Sequence, residues 1–176
     1  FNNMIFIIDS GSTKSDWIAI DKETGEPVFE KQRTKGLNPA IISDADAFNI
    51  IKENDFIYGN KLKVSHIYFY GAGCGTEKPN KMLKEVLESI FLNAEVVVEE
   101  DTYAAIYATV GVAHRPAVVC ILGTGSNCTY YDGQKVDQRV SSLGYSIMDD
   151  ASGNYYGRKL LRDYYFNQMP HDLKLV

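Results

Sequence analysis

The sequence predicts an α/β protein, and two observations support this class. Residues 4–9, 17–21 and 28–33 are short apolar strands separated by turn-rich segments, so the chain opens as a three-stranded antiparallel meander. Helical and strand patterns then alternate, with a helix at 43–57, a strand at 66–70, a helix from Pro79, a strand at 95–99 and a helix after Asp101. This order predicts a mixed sheet flanked by helices.

The helices are identified by their caps and by apolar residues that recur every three or four positions. Ser43 or Asp44 is suited to cap the first helix, and Pro79 is suited to the first position of the next. One face of that second helix is apolar, formed by Met82, Leu83, Val86, Leu87, Ile90 and Phe91. In the helix after Asp101 the core side is marked by Ala105, Ile106, Thr109 and Val110.

The opening pattern begins again after residues 111–116. Strands at 117–122, 128–131 and near 136–140 are joined by turns, and a helix follows at about 152–168. This internal repeat predicts two domains, 1–113 and 114–176. The second is expected to be an incomplete copy of the first, because later strands and helices do not follow.

Composition narrows the functional classes. With 45% hydrophobic residues in a length of 176, the chain can bury a sizeable core. Its 18 basic and 23 acidic residues give a net charge of −5, which provides no general attraction to nucleic acid or to an anionic membrane. The apolar run at 4–8 is too short for a membrane span or a signal peptide. We therefore expect small-molecule chemistry in the cytoplasm.

The spacing of cysteine and histidine argues against disulfide and metal sites. Cys74, Cys120 and Cys128 are odd in number and lack CxxC spacing, which predicts buried thiols in a reducing compartment. The three histidines, at 66, 114 and 171, are scattered singly, so they indicate neither a metal cluster nor a catalytic triad.

Two turns of small polar residues are candidates for phosphate binding. The run DSGSTKS at 9–15 ends a buried strand and offers backbone amides, hydroxyls, a cation and a carboxylate. It is not a Walker A loop, because the spacing GxxxxGK[ST] is not met. The run GTGSN at 123–127 occupies the matching place in the repeat. Either turn alone could be an ordinary hairpin, but together they suit a two-sided phosphate clamp.

Asp101 is the candidate catalytic carboxylate. It follows the strand at 95–99 and precedes a helix, at the edge where open α/β sheets bind ligands. There it could accept the proton of an attacking hydroxyl, although a helix cap is the alternative. Asp149 and Asp150 precede the later helix and could likewise act as caps. Glu99 and Glu100 are expected to be solvated or to pair with Lys.

The glycine-rich segment 71–75 raises a dinucleotide-binding alternative. It follows a strand and precedes a helix, but Thr76 stands where GxGxxG requires its third glycine. A helix that begins near Pro79 also starts too late for a tight pyrophosphate turn. A glycine turn that lets the backbone approach a ligand or a neighbouring domain is the better interpretation.

Several runs taken in order resemble the N-acetylglucosamine kinase branch of the actin-like sugar kinase and ATPase superfamily, which includes the BadF/BadG/BcrA/BcrD-type ATPase family. They are DSGSTKSDW at 9–17, GLNP at 36–39, ED at 100–101, GTGSNC at 123–128 and DDASG at 149–153. The resemblance extends over nearly the whole chain. It implies a ribonuclease H-like domain followed by an incomplete second copy.

The resemblance also implies roles for individual residues. Asp9 would organise Mg²⁺-bound phosphates through water, and Asp101 would be the catalytic base that also contacts the sugar. The remaining nucleotide-binding positions would be Gly11, Ser12, Thr13, Lys14, Thr124 and Gly125. The remaining sugar-side positions would be Asn38, Ser142, Leu143, Gly144 and Asp149. Three positions depart from the family: Leu143 replaces a usual Trp, and Met148 and Ala151 replace usual glycines.

The implied activity is transfer of the γ-phosphoryl of Mg²⁺-ATP to a hydroxyl, O6 by analogy, of an amino sugar such as N-acetylglucosamine or glucosamine. A homodimer is left open. One alternative is an ATPase of the 2-hydroxyacyl-CoA dehydratase activator type, whose iron–sulfur cysteines lie in a setting unlike that of the cysteines here. Another is a sugar-sensing protein that has lost catalysis.

Overall fold

The computed structural model describes residues 3–111, 115–137, 143–144 and 146–175. The chain divides into two compact units, Phe1–Ala104 and Ala105–Val176. Domain limits at 113 and 114 stay a prediction.

The first unit contains a five-stranded mixed sheet, as the sequence predicts. Its strands are β1 (Met4–Ser10), β2 (Lys14–Asp21), β3 (Gln32–Lys35), β4 (Val64–Gly71) and β5 (Glu95–Glu100), in the order β3-β2-β1-β4-β5. The β1–β2 and β2–β3 pairs are antiparallel, and the β1–β4 and β4–β5 pairs are parallel. The opening meander therefore supplies β1, β2 and β3, three adjacent strands at one end of the sheet.

The third strand begins later than predicted. Pro27 forms only an isolated bridge with Ile20, and regular pairing resumes at Gln32. Proline has no N–H to donate to a ladder. Phe29 instead turns toward the core, where its ring contacts Phe6 at 6.0 Å and Phe56 at 4.4 Å between centroids. Phe29 therefore packs on the core, and residues 28–31 lie outside the regular ladder, although the Val28 N–H still donates to the Ala19 carbonyl at 2.9 Å.

Three helices connect the strands of this unit, and a fourth follows them. They are α1 (Asp44–Lys52), α2 (Asp55–Gly59), α3 (Glu77–Ile90) and α4 (Asp101–Val110). The prediction of one helix at 43–57 is wrong, because Asn54 is extended and its side chain accepts a hydrogen bond from the Ile57 N–H at 2.9 Å, which starts a new helix. Pro79 is the third residue of α3, still within the first turn, where its missing N–H leaves no bond unmade.

An aromatic cluster lies at the centre of the first core. Phe6 meets Trp17 and Phe91 edge to face, with both pairs of ring centroids 5.7 Å apart. Leu83, Leu87 and the other apolar residues predicted for α3 pack against these rings, with Met82 only partly buried. This core holds the strands in place through their inward-facing side chains, and the positions of the strand ends follow from that packing.

The second unit contains a smaller antiparallel sheet, β6 (Ala117–Leu122), β7 (Ser126–Tyr131) and β8 (Val136–Asp137), in that order. The helix α5 (Gly153–Tyr165) and a 3₁₀ turn (Leu173–Leu175) follow. One face of the sheet is buried through Val119 and Tyr131, which pack with Ile106 of α4. The predicted strand residues 138–140 lie outside the described residues.

Three side chains face solvent where the sequence predicted burial. Cys120 and Cys128 are exposed, because they lie on the sheet face opposite to Val119 and Tyr131. Thr109 is also exposed, and its hydroxyl donates to the Ala105 carbonyl at 2.7 Å. Cys74 is buried as expected.

Within the described part of the chain, every helix is too short or too polar to cross a membrane.

Candidate ligand-binding site

The three parallel strands of the first unit end together. Ser10 is paired with Gly71, and Gly71 with Glu100, so β1, β4 and β5 reach one edge in register. Asp9 lies one residue before this edge and Asp101 one residue after it. The two predicted carboxylates therefore lie at the same edge of the sheet.

The base of the first polar turn, residues 9–15, is fixed by two buried hydroxyl groups. Ser10 Oγ and Ser15 Oγ lie 2.6 Å apart, and both accept from the Leu37 N–H, at 3.0 and 3.2 Å. Across the turn the Gly11 N–H donates to the Lys14 carbonyl at 2.9 Å. Ser12 and Thr13 at the tip are exposed. The tip is therefore open to a ligand while its base is fixed.

The segment after β3 supports the tip of this turn. The Gly36 N–H donates to the Thr13 carbonyl at 3.0 Å, and a Cβ at Gly36 would overlap the Gly11 carbonyl oxygen. Asn38 is buried, and its Nδ2 donates to Ser12 Oγ at 2.8 Å. The predicted residues Gly11, Ser12, Thr13 and Asn38 therefore form one connected cluster.

Asn38 also joins this cluster to the glycine-rich loop after β4. Its Oδ1 accepts from the Ala40 N–H at 3.0 Å and occupies the space that a Cβ at Gly73 would need. Gly73 has a φ of 81°, in the left-handed region that favours glycine. The glycine at this position therefore lets the Asn38 side chain approach the backbone of the loop. The approach of a ligand or of a neighbouring domain stays a prediction.

The carboxyl group of Asp101 is half-buried, and its pKa is raised above the ordinary value. Burial is the main cause, the hydrogen bond from the Thr102 N–H opposes it, and the negative charge of Asp9 adds to it. A carboxylate with a raised pKa is a stronger base. Asp9 itself is exposed.

Glu100 belongs to the same cluster, although the sequence analysis expected it to be solvated. Burial, followed by the nearby charge of Asp101, raises the pKa of its carboxyl. A Cβ at Gly75 would lie 2.9 Å from Glu100 Oε1, so a larger residue there would require this carboxylate to shift. A signal was present in the sequence, because Glu100 ends the strand beside Asp101 and a glycine-rich loop follows the neighbouring strand.

Cys74, in the same loop, is an unreactive thiol. Burial raises its pKa to about 12, and the charges of Asp101 and Glu100 act in the same direction.

Lys14, at the start of β2, lies at the edge of a surface ion-pair group. Asp16 pairs with Arg33 at 2.7 Å and Lys31 at 3.4 Å, and Lys14 Nζ is 3.9 Å from the same carboxylate. The hydrogen bond from Arg33 is the main reason that the pKa of Asp16 is lowered. Lys14 is exposed and only distantly paired, so it remains able to reach an anion.

The second polar turn, in the second unit, is bonded to the first residues of α5 and lies against the segment before it. The Gly153 N–H donates to the Gly123 carbonyl at 2.8 Å, and the Asn154 N–H to the Thr124 carbonyl at 3.2 Å. A Cβ at Gly125 would lie 2.7 Å from Asp149 Oδ2. Thr124, Gly125 and Asp149 are therefore neighbours, and the Thr124 side chain is exposed at the tip.

The segment before α5 has a strained backbone. Asp149 and Ala151 have φ angles of 65° and 62°, which non-glycine residues rarely adopt. Ser152 then caps α5 by accepting from the Tyr155 N–H at 3.1 Å. Leu143 is exposed, and Ser142 lies outside the described residues.

Of the carboxylates at the sheet edge, the exposed Asp9 is the one suited to a phosphate-bound metal ion. The described residues contain no group of three or more His, Cys, Asp or Glu side chains placed to hold a metal ion. Mg²⁺ bound with phosphates needs only one or two carboxylates and keeps several waters. An exposed Asp9 beside the open turn fits that requirement.

Solved structures that share this fold include candidate N-acetylglucosamine kinases and other sugar kinases. One neighbour is a candidate N-acetylglucosamine kinase from Porphyromonas gingivalis, which is 36% identical with a TM-score of 0.83. The match covers 97% of this chain and 59% of that chain. The resemblance inferred from the motifs is thereby confirmed.

More distant structures share the fold alone. They include the inorganic polyphosphate/ATP-glucomannokinase of Arthrobacter sp. strain KM, which is 19% identical with a TM-score of 0.58 over 94% of this chain and 78% of that chain. A transcriptional regulator of the ROK family is 13% identical with a TM-score of 0.64 over 98% and 52%. No protein-family model and no curated protein sequence matches the chain.

The chain spans 59% of the length of the Porphyromonas gingivalis protein.

Proposed function

We propose that the chain is the phosphate-gripping and sugar-binding part of an ATP-dependent sugar kinase. The reaction is transfer of the γ-phosphoryl of ATP to a hydroxyl, O6, of an amino sugar such as N-acetylglucosamine or glucosamine. The observation that carries this proposal is the common sheet edge at which the Asp9 and Asp101 carboxylates lie beside the open turn at Ser12 and Thr13. The identity with the Porphyromonas gingivalis protein supports the sugar class.

Asp101 is proposed as the general base. Its carboxylate accepts the proton of the sugar hydroxyl as that oxygen attacks the γ-phosphorus and the bond to the β-phosphate oxygen breaks. The burial that raises the pKa of Asp101 makes it a better proton acceptor. Asp101 lies at the first position of α4, which fixes its side chain relative to the sheet edge.

Both polar turns are proposed to bind nucleotide phosphates. Gly11 and Gly125 allow phosphate oxygens close to the backbone, while Ser12, Thr13, Lys14 and Thr124 donate from exposed positions. The proposed domains are 1–113 and 114–176, with the second an incomplete copy of the first. Asn38, Asp149, Leu143, Gly144 and Ser142 are assigned to the sugar side.

Mg²⁺ would be held at Asp9 through water, and it would neutralise charge on the phosphate oxygens. The Asp9 carboxylate contributes by orienting that hydration shell at the edge of β1.

The substitution Asp101→Asn tests the proposal. We expect ADP release to fall by about 10²-fold or more, because the general base is lost, while sugar affinity stays close to that of the unchanged protein. The assay compares N-acetylglucosamine, glucosamine, N-acetylmannosamine and glucose. Asp55→Asn is the matched control, since Asp55 is likewise the first residue of a helix but is exposed and lies outside the cluster. Undiminished turnover in Asp101→Asn would refute the assignment.

A sugar sensor without catalysis is the second candidate, favoured by the regulator of the same fold. Sugar binding in the unchanged protein with no ADP release for any of the four sugars would favour it over the kinase.

A further inference from the structure

The exposed face of the second sheet carries two thiols that face each other across neighbouring strands. Cys120 of β6 and Cys128 of β7 are directly opposed in the antiparallel register. Both side chains are exposed and both cysteines are free. Val118 and Leu122 flank Cys120 on the same strand and are exposed as well, with 68% and 62% of their surface accessible. In this chain the pair therefore lies on the exposed sheet face, opposite to the face that Val119 and Tyr131 bury.

The hydrogen-bond pattern of the hairpin shows which kind of pair this is. The Gly123 N–H donates to the Gly125 carbonyl at 2.9 Å, so residues 123 and 125 form a hydrogen-bonded pair. Hydrogen-bonded and non-hydrogen-bonded pairs alternate along an antiparallel ladder. With Ile121 opposite Asn127, the Cys120–Cys128 pair is the non-hydrogen-bonded kind. Such pairs bring the Cα atoms to about 4.5 Å and the side chains closest together.

This geometry is compatible with a disulfide. Disulfides join Cα atoms that are about 4.4–6.8 Å apart, so the ladder can stay intact when the sulfurs bond. The two thiols already interact, since a hydrogen bond with Cys120 is the main cause that raises the pKa of Cys128. The thiols are therefore close enough to act as one site.

We propose that Cys120 and Cys128 form a redox-active dithiol site whose oxidant is a low-molecular-weight disulfide such as oxidised glutathione. One cysteine thiolate attacks the small disulfide, forms a mixed disulfide and releases one small thiolate. The second cysteine thiolate attacks the cysteine sulfur of that mixed disulfide, forms the Cys120–Cys128 bond and releases the second small thiolate. Two protein thiols are oxidised, one small disulfide is reduced, and a dithiol reductant reverses the reaction.

The disulfide would covalently link the two strands of the hairpin whose turn contains Thr124 and Gly125, because Cys120 and Cys128 lie on either side of that turn. Cys74 provides an internal contrast, since it is buried with a pKa of about 12 and should not react.

Oxidised glutathione at neutral pH, followed by acid quenching and peptide mass analysis, tests this proposal. We expect the protein to lose two hydrogens with no glutathione retained, and a reductant-sensitive link between the peptides that contain Cys120 and Cys128. The variants Cys120→Ser and Cys128→Ser should instead accumulate one glutathione on the remaining exposed thiol, because no second thiol can displace it. Cys74→Ser is the control and should oxidise like the unchanged protein.

Three outcomes would overturn the proposal: no reaction at Cys120 and Cys128, stable glutathione on both, or a link that involves Cys74. None of these readouts depends on ATP or sugar, so the result is independent of the kinase assignment. Each single variant replaces only an exposed thiol. A thermal unfolding midpoint equal to that of the unchanged protein would show that the variant keeps the fold.

Discussion

The amide oxygen of Asn38 fills the space in which a side chain at Gly73 would stand. The same amide bonds Ser12 through its nitrogen, so one buried side chain connects the phosphate turn with the glycine loop. Few substitutions can therefore be made in this loop without moving the turn.

Gly73→Ala should destabilise the protein by more than Gly25→Ala. Both glycines have positive φ angles, 81° and 74°, so both variants pay about 1 kcal/mol of backbone strain. At Gly73 the new methyl group also overlaps Asn38, which should add about 1–3 kcal/mol, whereas Gly25 has open space around it. Urea unfolding measures both. Equal losses would show that Asn38 moves aside freely.

Ala151→Gly should increase stability, although glycine usually lowers it. The φ of 62° at Ala151 is strained for alanine and easy for glycine, so the gain should be about 1 kcal/mol. Ala108→Gly in α4 is the control, where an exposed helical alanine should give a loss of about 1 kcal/mol. The free energy of unfolding of both variants tests this prediction. A loss of stability in both would contradict the proposal that the backbone at Ala151 is strained.

Asp101→Asn should also raise stability at neutral pH. The folded state raises the pKa of Asp101, so it binds the proton more tightly than the unfolded state does. The ionised carboxylate therefore lowers stability, and this effect develops as pH rises from the ordinary Asp value through the raised one. Urea unfolding should show a gain at pH 7 that disappears below about pH 4. A loss of stability at pH 7 would mean that the hydrogen bond from the Thr102 N–H stabilises the ionised carboxylate by more than burial destabilises it.

Asp16→Asn should show the opposite sign. Its pKa is lowered, chiefly by Arg33, so the ionised form stabilises the folded state above the ordinary Asp value and this contribution is lost as pH falls. We expect a loss at pH 7 of about 1 kcal/mol or less, since the partners are exposed, and no difference in acid. High salt should reduce the loss, and a loss that is unchanged by salt would argue against an ionic origin.

The sequence predicted the strands and the carboxylate edge because both depend on local order along the chain. Asp9 lies near the end of one buried strand and Asp101 directly follows another, and parallel strands end at a common edge. The break at Asn54 was not predicted, since the apolar spacing continues on both sides of it.

The face assignment of β6 could not be inferred locally. Residues 117–122, AVVCIL, are apolar at every position, so a period of two does not distinguish the buried face from the exposed one. For that reason the sequence predicted a buried Cys120, whereas the structure has it on the exposed face of the sheet. The partial burial of Glu100 was missed for another reason, because the nearness of Glu100 to Gly75 arises from the pairing of β4 with β5, which are distant in sequence.

Nucleotide affinity in Thr13→Val and Thr124→Val is the measurement that tests the proposed phosphate turns most directly. Both hydroxyls are exposed at turn tips, and valine keeps the side-chain shape while removing the donor. If each turn contacts the nucleotide phosphates, calorimetric titration should show weaker ATP binding in each variant, by about tenfold for a lost hydrogen bond to a charged group. Thr24→Val, in the turn after β2, should bind ATP as the unchanged protein does. Unaltered ATP affinity in either tip variant would contradict the nucleotide-binding role proposed for that turn.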